Sequence, residues 1–451
     1  MTGREEPSTE ELLERLVSRQ AHLIGRSSPR VGHPSAILGN QGNPDAIASC
    51  ALLLLFHPLF DSLLVSSKKK APRDDAGFSP VGLKAVLDDA VTTADKPTTA
   101  NSLGLDIVAN DVAYISAVKI GTPPRDFQIL MDSGSADLWV GAEGCQGVNA
   151  TDCVSHSGQL AFATLIPLDM QGNHTFLGKQ SSTSFVDTNN PFQVVYGKGA
   201  VAGNIVQDDI DIGGLQLTGH TFGVALRETD DFTDAKFDGL MGLAKSTLSN
   251  QQTLTPPEAL VKAGLIKEAI VSYKISRVSD QKDDGQITFG ALDTSKFDQN
   301  TLVTVKNVNA LGFWEGGMDA VTVDGKDLGL VGRTAIMDTG TTLFIAPPAD
   351  AETINKAIPG STSDGKGGFT VPCTTNASLA LSFSGKSFAI DSRDLAFLPL
   401  DPNDPTGDCV SGIASGQIGG PQQFLIGDVF LKNAYFSTNV GEDTIQLAKL
   451  T

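Results

Sequence analysis

Gln128-Ile-Leu-Met-Asp132-Ser-Gly-Ser-Ala-Asp-Leu-Trp-Val140 decides the reading of this chain, because Thr334-Ala-Ile-Met-Asp338-Thr-Gly-Thr-Thr-Leu-Phe-Ile345 repeats it 206 residues later. Each copy is an apolar run ending at Asp-Ser/Thr-Gly-Ser/Thr and followed by a second apolar run, a pattern of two short strands joined by a polar turn. One Asp-Ser/Thr-Gly triplet alone means little, since about 0.2 would arise by chance in this length at average composition. The chain has two, both preceded by an apolar-apolar-Met run and both followed by a hydroxyl residue. A weaker echo lies downstream of each, Phe237-Asp-Gly-Leu-Met-Gly242 being answered by Phe424-Leu-Ile-Gly427. The repeat predicts two homologous lobes, each supplying one Asp.

Asp132 and Asp338 are therefore the candidate catalytic pair. Gly134 and Gly340 let the backbone turn sharply after each Asp, and the neighbouring hydroxyls of Ser133, Ser135, Thr339 and Thr341 can hold the carboxylate oxygens. Two such loops facing each other bring the carboxylates together. Like charges at hydrogen-bond distance do not both ionise, so the pair shares one proton over a wide acidic range. One carboxylate can then take a proton from a bound water while its protonated partner donates to a substrate carbonyl.

At these residues the chain resembles the pepsin-like aspartic proteases, over about residues 110–451, and especially their fungal secreted members. The resemblance implies an all-β fold of two pseudo-symmetric β-rich lobes with the active-site cleft between them, and an aspartic endopeptidase with an acidic optimum. It also implies that Ser133 and Thr339 cross-brace the two loops, and that Ser135 and Thr341 bond the outer carboxylate oxygens. The family usually has Thr where this chain has Ser133, which keeps the hydroxyl and loses a methyl. Phe192-Gln-Val-Val-Tyr196-Gly-Lys-Gly-Ala-Val-Ala-Gly203 is similar to the hairpin flap that closes over substrate. Tyr196 then matches the flap tyrosine, Gly197 and Lys198 its tip, and Trp139 the indole that hydrogen-bonds the tyrosine. Thr342 falls at a substrate-binding position. Leu240 and Phe232 match the pocket beside the scissile bond, with a preference for apolar side chains. Cys145–Cys153 and Cys373–Cys409 match the family's usual disulfides. Lys198 stands where Thr or Asp is common. Its cation is expected to disfavour Lys and Arg beside the scissile bond by charge repulsion, which kcat/KM for matched Lys and Glu peptides tests. A preference for Lys would reject the idea.

Composition agrees with this reading. The 451 residues carry a net charge of −19, with 47 Gly and 22 Pro favouring short strands and turns. Residues 1–98 hold 11 Lys+Arg against 12 Asp+Glu, so the remaining 22 against 40 put −18 on the body. So acidic a surface disfavours nucleic acid and suits low pH, where protonation relieves self-repulsion. Of five Cys, four lie in the body, as one pair eight apart and another thirty-six apart, without zinc spacing, and two disulfides are expected. Sequons at Asn149, Asn173 and Asn376 fit the same oxidising, secretory route. No metal or cofactor is expected; the expected partners are protein or peptide substrates, with no nucleic acid and no membrane. A monomer, secreted or vacuolar, completes the expectation.

The first hundred residues read differently. Residues 1–65 form an N-terminal extension whose apolar segment 51–65 is interrupted by His57, Pro58 and Asp61. It is too short and polar to span a membrane and too far from Met1 for an ordinary signal peptide. A signal-like segment embedded by a faulty gene model is preferred over a signal anchor or part of a pro-segment. Residues 66–105 read as a pro-segment and linker, 106–280 as the N-terminal lobe with the flap, and 281–451 as the C-terminal lobe. The six His have no metal spacing and take surface or core roles. Gly197-Lys-Gly-Ala-Val-Ala-Gly203 has the wrong spacing for a phosphate loop. Two other functions remain to be separated by Asp132→Asn and Asp338→Asn: an inactive binding protein of the same fold, and a glycosidase, for which two Trp and four Tyr supply few sugar platforms.

Overall fold

The computed structural model describes residues 90–147, 174–197, 199–233, 235–401 and 403–451. These fold mainly as strands arranged in five sheets. The sequence dictates the strands by alternation: at the end of Ala113–Ile120, Val118 and Ile120 are fully buried while Ala117 and Lys119, alternating with them, face solvent.

The first lobe is a nine-stranded sheet. At its centre Gly239–Gly242 runs parallel to Arg125–Asp132, placing Gly242 opposite Asp132, and antiparallel to Leu138–Gly147. That last strand runs parallel to Leu215–Glu228. The second lobe repeats the arrangement: Gln423–Ile426 is parallel to Thr334–Met337 and antiparallel to Phe344–Ala346, which is itself parallel to Ile413–Ser415. The weaker sequence echo is thus the strand threaded between the two halves of each Asp motif. Close approach accounts for the glycine that ends each echo. A Cβ on Gly242 would stand 2.4 Å from Asp137 N, and one on Gly427 2.1 Å from Thr341 O.

Beneath both lobes lies a six-stranded sheet in the order Val303–Lys306, Thr444–Ala448, Tyr435–Asn439, Ile270–Lys274, Gln286–Phe289, Ser102–Gly104. It corrects the expected start of the folded body. Residues 90–105, assigned above to the linker, are built into the fold: Val91–Thr92 pairs with Ile107–Val108, and Ser102–Gly104 with Gln286–Thr288. Side chains fix the same segment, Asp106 accepting from Ala94 N–H at 2.7 Å and Thr99 donating to Asp293 at 2.6 Å. Strands of two and three residues are too short to display alternation, and their partners are distant in sequence. The lobe boundary expected at 280/281 falls between Ile270–Lys274 and Gln286–Phe289, which pair with each other in this shared sheet. Residues 1–89, with the apolar segment 51–65, lie outside the described residues.

One further tie lies within the second lobe and another joins the two lobes. Cys373–Cys409 clips Phe369–Pro372 to Asp408–Ser411. Lys432, 3% exposed, reaches Asp111 of the first lobe at 3.0 Å and Asp394 of the second at 2.8 Å, and Arg277 grips the same Asp394 with two nitrogens. Charges buried this deeply are tolerable because each has a partner.

Candidate active site

Asp132 ends its strand, Asp338 follows directly on the equivalent one, and the two buried carboxyls meet where the lobes face each other, each lying against the loop of the other. Each carboxylate is held by its own loop in the same way. Gly134 N–H donates to Asp132 Oδ1 at 2.7 Å and Ser135 Oγ to Oδ2 at 2.5 Å. Gly340 N–H donates to Asp338 Oδ1 at 2.8 Å and Thr341 Oγ1 to Oδ2 at 2.6 Å. The loops are cross-braced. Ser133 Oγ accepts from Thr339 N–H and donates to Met337 O, both at 2.9 Å; Thr339 Oγ1 accepts from Ser133 N–H at 2.9 Å and donates to Met131 O at 2.6 Å. One hydroxyl from each lobe therefore grips the backbone of the other.

The two glycines serve a different purpose from the turn inferred from sequence. Neither has a positive φ. A Cβ on Gly134 would instead sit 2.3 Å from Asp338 Cγ, and one on Gly340 2.5 Å from Asp132 Oδ1. Each glycine makes room for the carboxyl of the opposite lobe. Burial pushes the Asp338 carboxyl well above the usual carboxylate range, and the charge of Asp132 adds to it, against the lowering hydrogen bonds from Thr341 and Gly340. Tyr273 of the shared sheet lies below, its phenol pushed up by burial and by both aspartates.

In the first lobe, Val186–Val195 and Ala200–Ile212 form an antiparallel hairpin with Tyr196 and the exposed Gly197 at its tip. Gly199 closes the turn at φ +78°, a conformation that favours glycine, and its carbonyl accepts from Tyr196 N–H. Trp139 Nε1 donates to Tyr196 Oη at 2.6 Å. Phe232 stands edge-on to both rings, 5.3 Å from Trp139 and 5.5 Å from Tyr196. Leu240, fully buried, belongs to the same apolar cluster. The Thr342 hydroxyl donates to Val112 O at 2.5 Å, tying the second lobe to the entry of the first. Lys198, Asn149, Asn173 and Cys153 lie outside the described residues, although Cys145 is disulfide-bonded. Asn376 is exposed in the connection before Leu379–Phe383.

Sequence reasoning passed over one buried acid beside this cluster. Glu228 ends Leu215–Glu228 at 6% exposure, and burial pushes its carboxyl up to about 7, with the His174 charge lowering it and the Asp238 charge raising it. Only its place at the end of an alternating strand could have hinted at burial. A carboxyl whose folded value exceeds its unfolded one loses stability as pH rises through the folded value. The penalty is absent below pH 4.5 and complete above about pH 7, where it reaches about 3 kcal/mol. Glu228→Gln is accordingly expected to raise the melting temperature at pH 8 by about 5 °C more than at pH 4. Thermal unfolding at the two pH values checks this, and equal shifts would reject it.

Two β-rich lobes that each contribute one braced Asp to a shared pair define a class of protein. The chain belongs to the eukaryotic aspartyl protease family, whose model matches residues 113–450. It is 35% identical over 356 residues to a probable aspartic-type endopeptidase CTSD of Arthroderma benhamiae, the match covering 79% of this chain and 64% of that protein. It is also 32% identical to rhizopuspepsin of Rhizopus chinensis, over 75% of this chain and 79% of that one. With a probable vacuolar protease A of Trichophyton verrucosum it shares 30% identity, over 74% and 78% of the two chains. The chain spans less than two thirds of the length of the Arthroderma relative.

Proposed function

We propose that the protein is an aspartic-type endopeptidase that hydrolyses peptide bonds with water activated by Asp132 and Asp338. The observation that carries this is a pair of buried carboxyls brought face to face across the lobes, each held by a glycine N–H and a hydroxyl of its own loop. Such a pair carries one proton and titrates as a unit. The ionised member takes a proton from water as its oxygen attacks the scissile carbonyl carbon, and the protonated member donates to the carbonyl oxygen. In the resulting diol the C–N bond breaks as the amine nitrogen receives a proton from the dyad and a diol hydroxyl returns one, leaving acid and amine products. The apolar cluster of Trp139, Phe232 and Leu240 beneath the flap supports a preference for apolar residues beside the scissile bond. An acidic optimum follows from the shared proton, and an acidic compartment, secreted or vacuolar, suits it. Incubating the matured protein with casein or haemoglobin at pH 3–5, with and without a statine-type mimic of the diol, tests the reading. Cleavage blocked by the mimic is expected, and no cleavage would overturn it.

A further inference from the structure

His174 lies outside the dyad and bridges the two ends of the segment that joins the Phe232 helix to the strand of Leu240. Its side chain is 11% exposed, and its two ring nitrogens face two oxygens: Nδ1 is 3.2 Å from Asp238 Oδ1, and Nε2 is 3.2 Å from the carbonyl of Thr233. Both partners are acceptors. Asp238 also accepts from two backbone donors, Thr175 N–H at 2.9 Å and Gln128 N–H at 2.8 Å. Neutral imidazole carries one N–H, so it satisfies one of these oxygens and turns a lone pair toward the other; only imidazolium donates to both.

What Nε2 holds matters more than the bond itself. Thr233 is the last residue of the short helix Asp230–Thr233, which carries Phe232. That helix is the abutment of the flap. Thr229, just before it, exchanges hydrogen bonds with Ala200, donating its N–H to the carbonyl and accepting the Ala200 N–H on Oγ1, both at 3.1 Å. Phe232 touches Trp139, Tyr196 and Phe237 edge to face. Asp238, on the other nitrogen, immediately precedes Gly239–Gly242 and Leu240. His174 thus pins the two ends of the segment 233–238 from outside the pocket.

Among the described residues, the ionisable groups whose charge reaches His174 are Asp238 and Glu228. Burial works against the imidazolium, but the hydrogen bond and charge of Asp238, the Thr233 carbonyl and the charge of Glu228 outweigh it and raise the ring's proton affinity. The doubly donating form therefore prevails through the acidic range and is given up only above the ordinary imidazole range.

We propose that His174 is a positioning residue for the apolar pocket beneath the flap: protonated, it clamps the Phe232 helix for substrates with a large apolar side chain, and deprotonated, it releases that clamp. The inference rests on the endopeptidase reading above and adds to it a determinant of substrate binding that the dyad does not control. Loss of one such hydrogen bond weakens occupancy of the pocket by about threefold to tenfold.

The test compares two peptides identical except for Phe or Ala at the residue entering the pocket, with kcat and KM measured from pH 3.5 to beyond the end of the His174 titration on wild type and His174→Gln. NMR of the ring-labelled wild type gives the His174 titration independently. In the wild type, KM for the Phe peptide should rise about threefold to tenfold across the interval in which His174 titrates, with kcat following the same pH profile for both peptides. His174→Gln should show the raised KM at every pH, and the Ala peptide should be nearly indifferent in both proteins. Identical pH profiles of KM in wild type and variant would overturn the proposal, as would a loss falling on kcat for both peptides. Should the variant fail to fold, the wild type alone decides: the KM midpoint must coincide with the NMR midpoint, and a mismatch rejects the proposal. A wild type that cleaves normally with a flat KM removes this inference only, whereas a wild type without turnover removes the endopeptidase reading itself.

Discussion

Asp132→Asn and Asp338→Asn are each expected to lower casein hydrolysis at pH 4 by at least about a thousandfold, the scale on which a positioned acid or base contributes. Asparagine preserves the shape of the side chain and the acceptor that faces its own loop. It cannot hold or pass the shared proton. Stability should not suffer, because burial disfavours the single negative charge that the pair carries, and replacing either carboxyl by a neutral amide removes that charge from the interior. Melting temperatures at pH 4 equal to or above that of the wild type would therefore accompany the loss of activity. Turnover above about one per cent of wild type in either variant would contradict the dyad and return the glycosidase and binding-protein alternatives to consideration.

Gly134→Ala should be nearly as damaging, although it touches no reacting atom. Its Cβ would need the space 2.3 Å from Asp338 Cγ, so the carboxyl of the opposite lobe has to move by roughly an ångström. A displacement of that size costs about a hundredfold in kcat/KM. Gly340→Ala crowds Asp132 in the mirror-image way, at 2.5 Å from Oδ1. Gly317→Ala provides the control, since nothing lies within 4 Å of its Cβ, and its activity should match wild type. Full activity in Gly134→Ala would mean that the lobes are spaced more loosely than the contacts between them imply.

These two cases mark where the sequence was legible and where it was not. The Asp motifs, their hydroxyls, the flap and the Cys373–Cys409 pair could be read because their information is local or duplicated. Chemistry written twice in matching order identifies itself. The purpose of Gly134 could not be read, because it concerns Asp338, which approaches only when the lobes come together. The same holds for His174: its partners Thr233 and Asp238 lie 59 and 64 residues away, and a histidine without metal spacing gives no sign of what it will face. The strands Val91–Thr92 and Ser102–Gly104 escaped for a related reason, since a strand of two or three residues has no periodicity and gains its order wholly from its neighbour.

The six-stranded sheet draws Ser102–Gly104 and Thr444–Ala448 into one layer, with the site above it. On a ribosome these segments emerge more than three hundred residues apart. Asp132 and its half of the brace emerge first, and the hydroxyl of Thr339 that completes the grip follows about two hundred residues later, with the strand Thr444–Ala448 later still. Pairings of such long range also form slowly. A growing chain therefore holds one aspartate of the pair without its counterpart until the second lobe has been made and folded against the first.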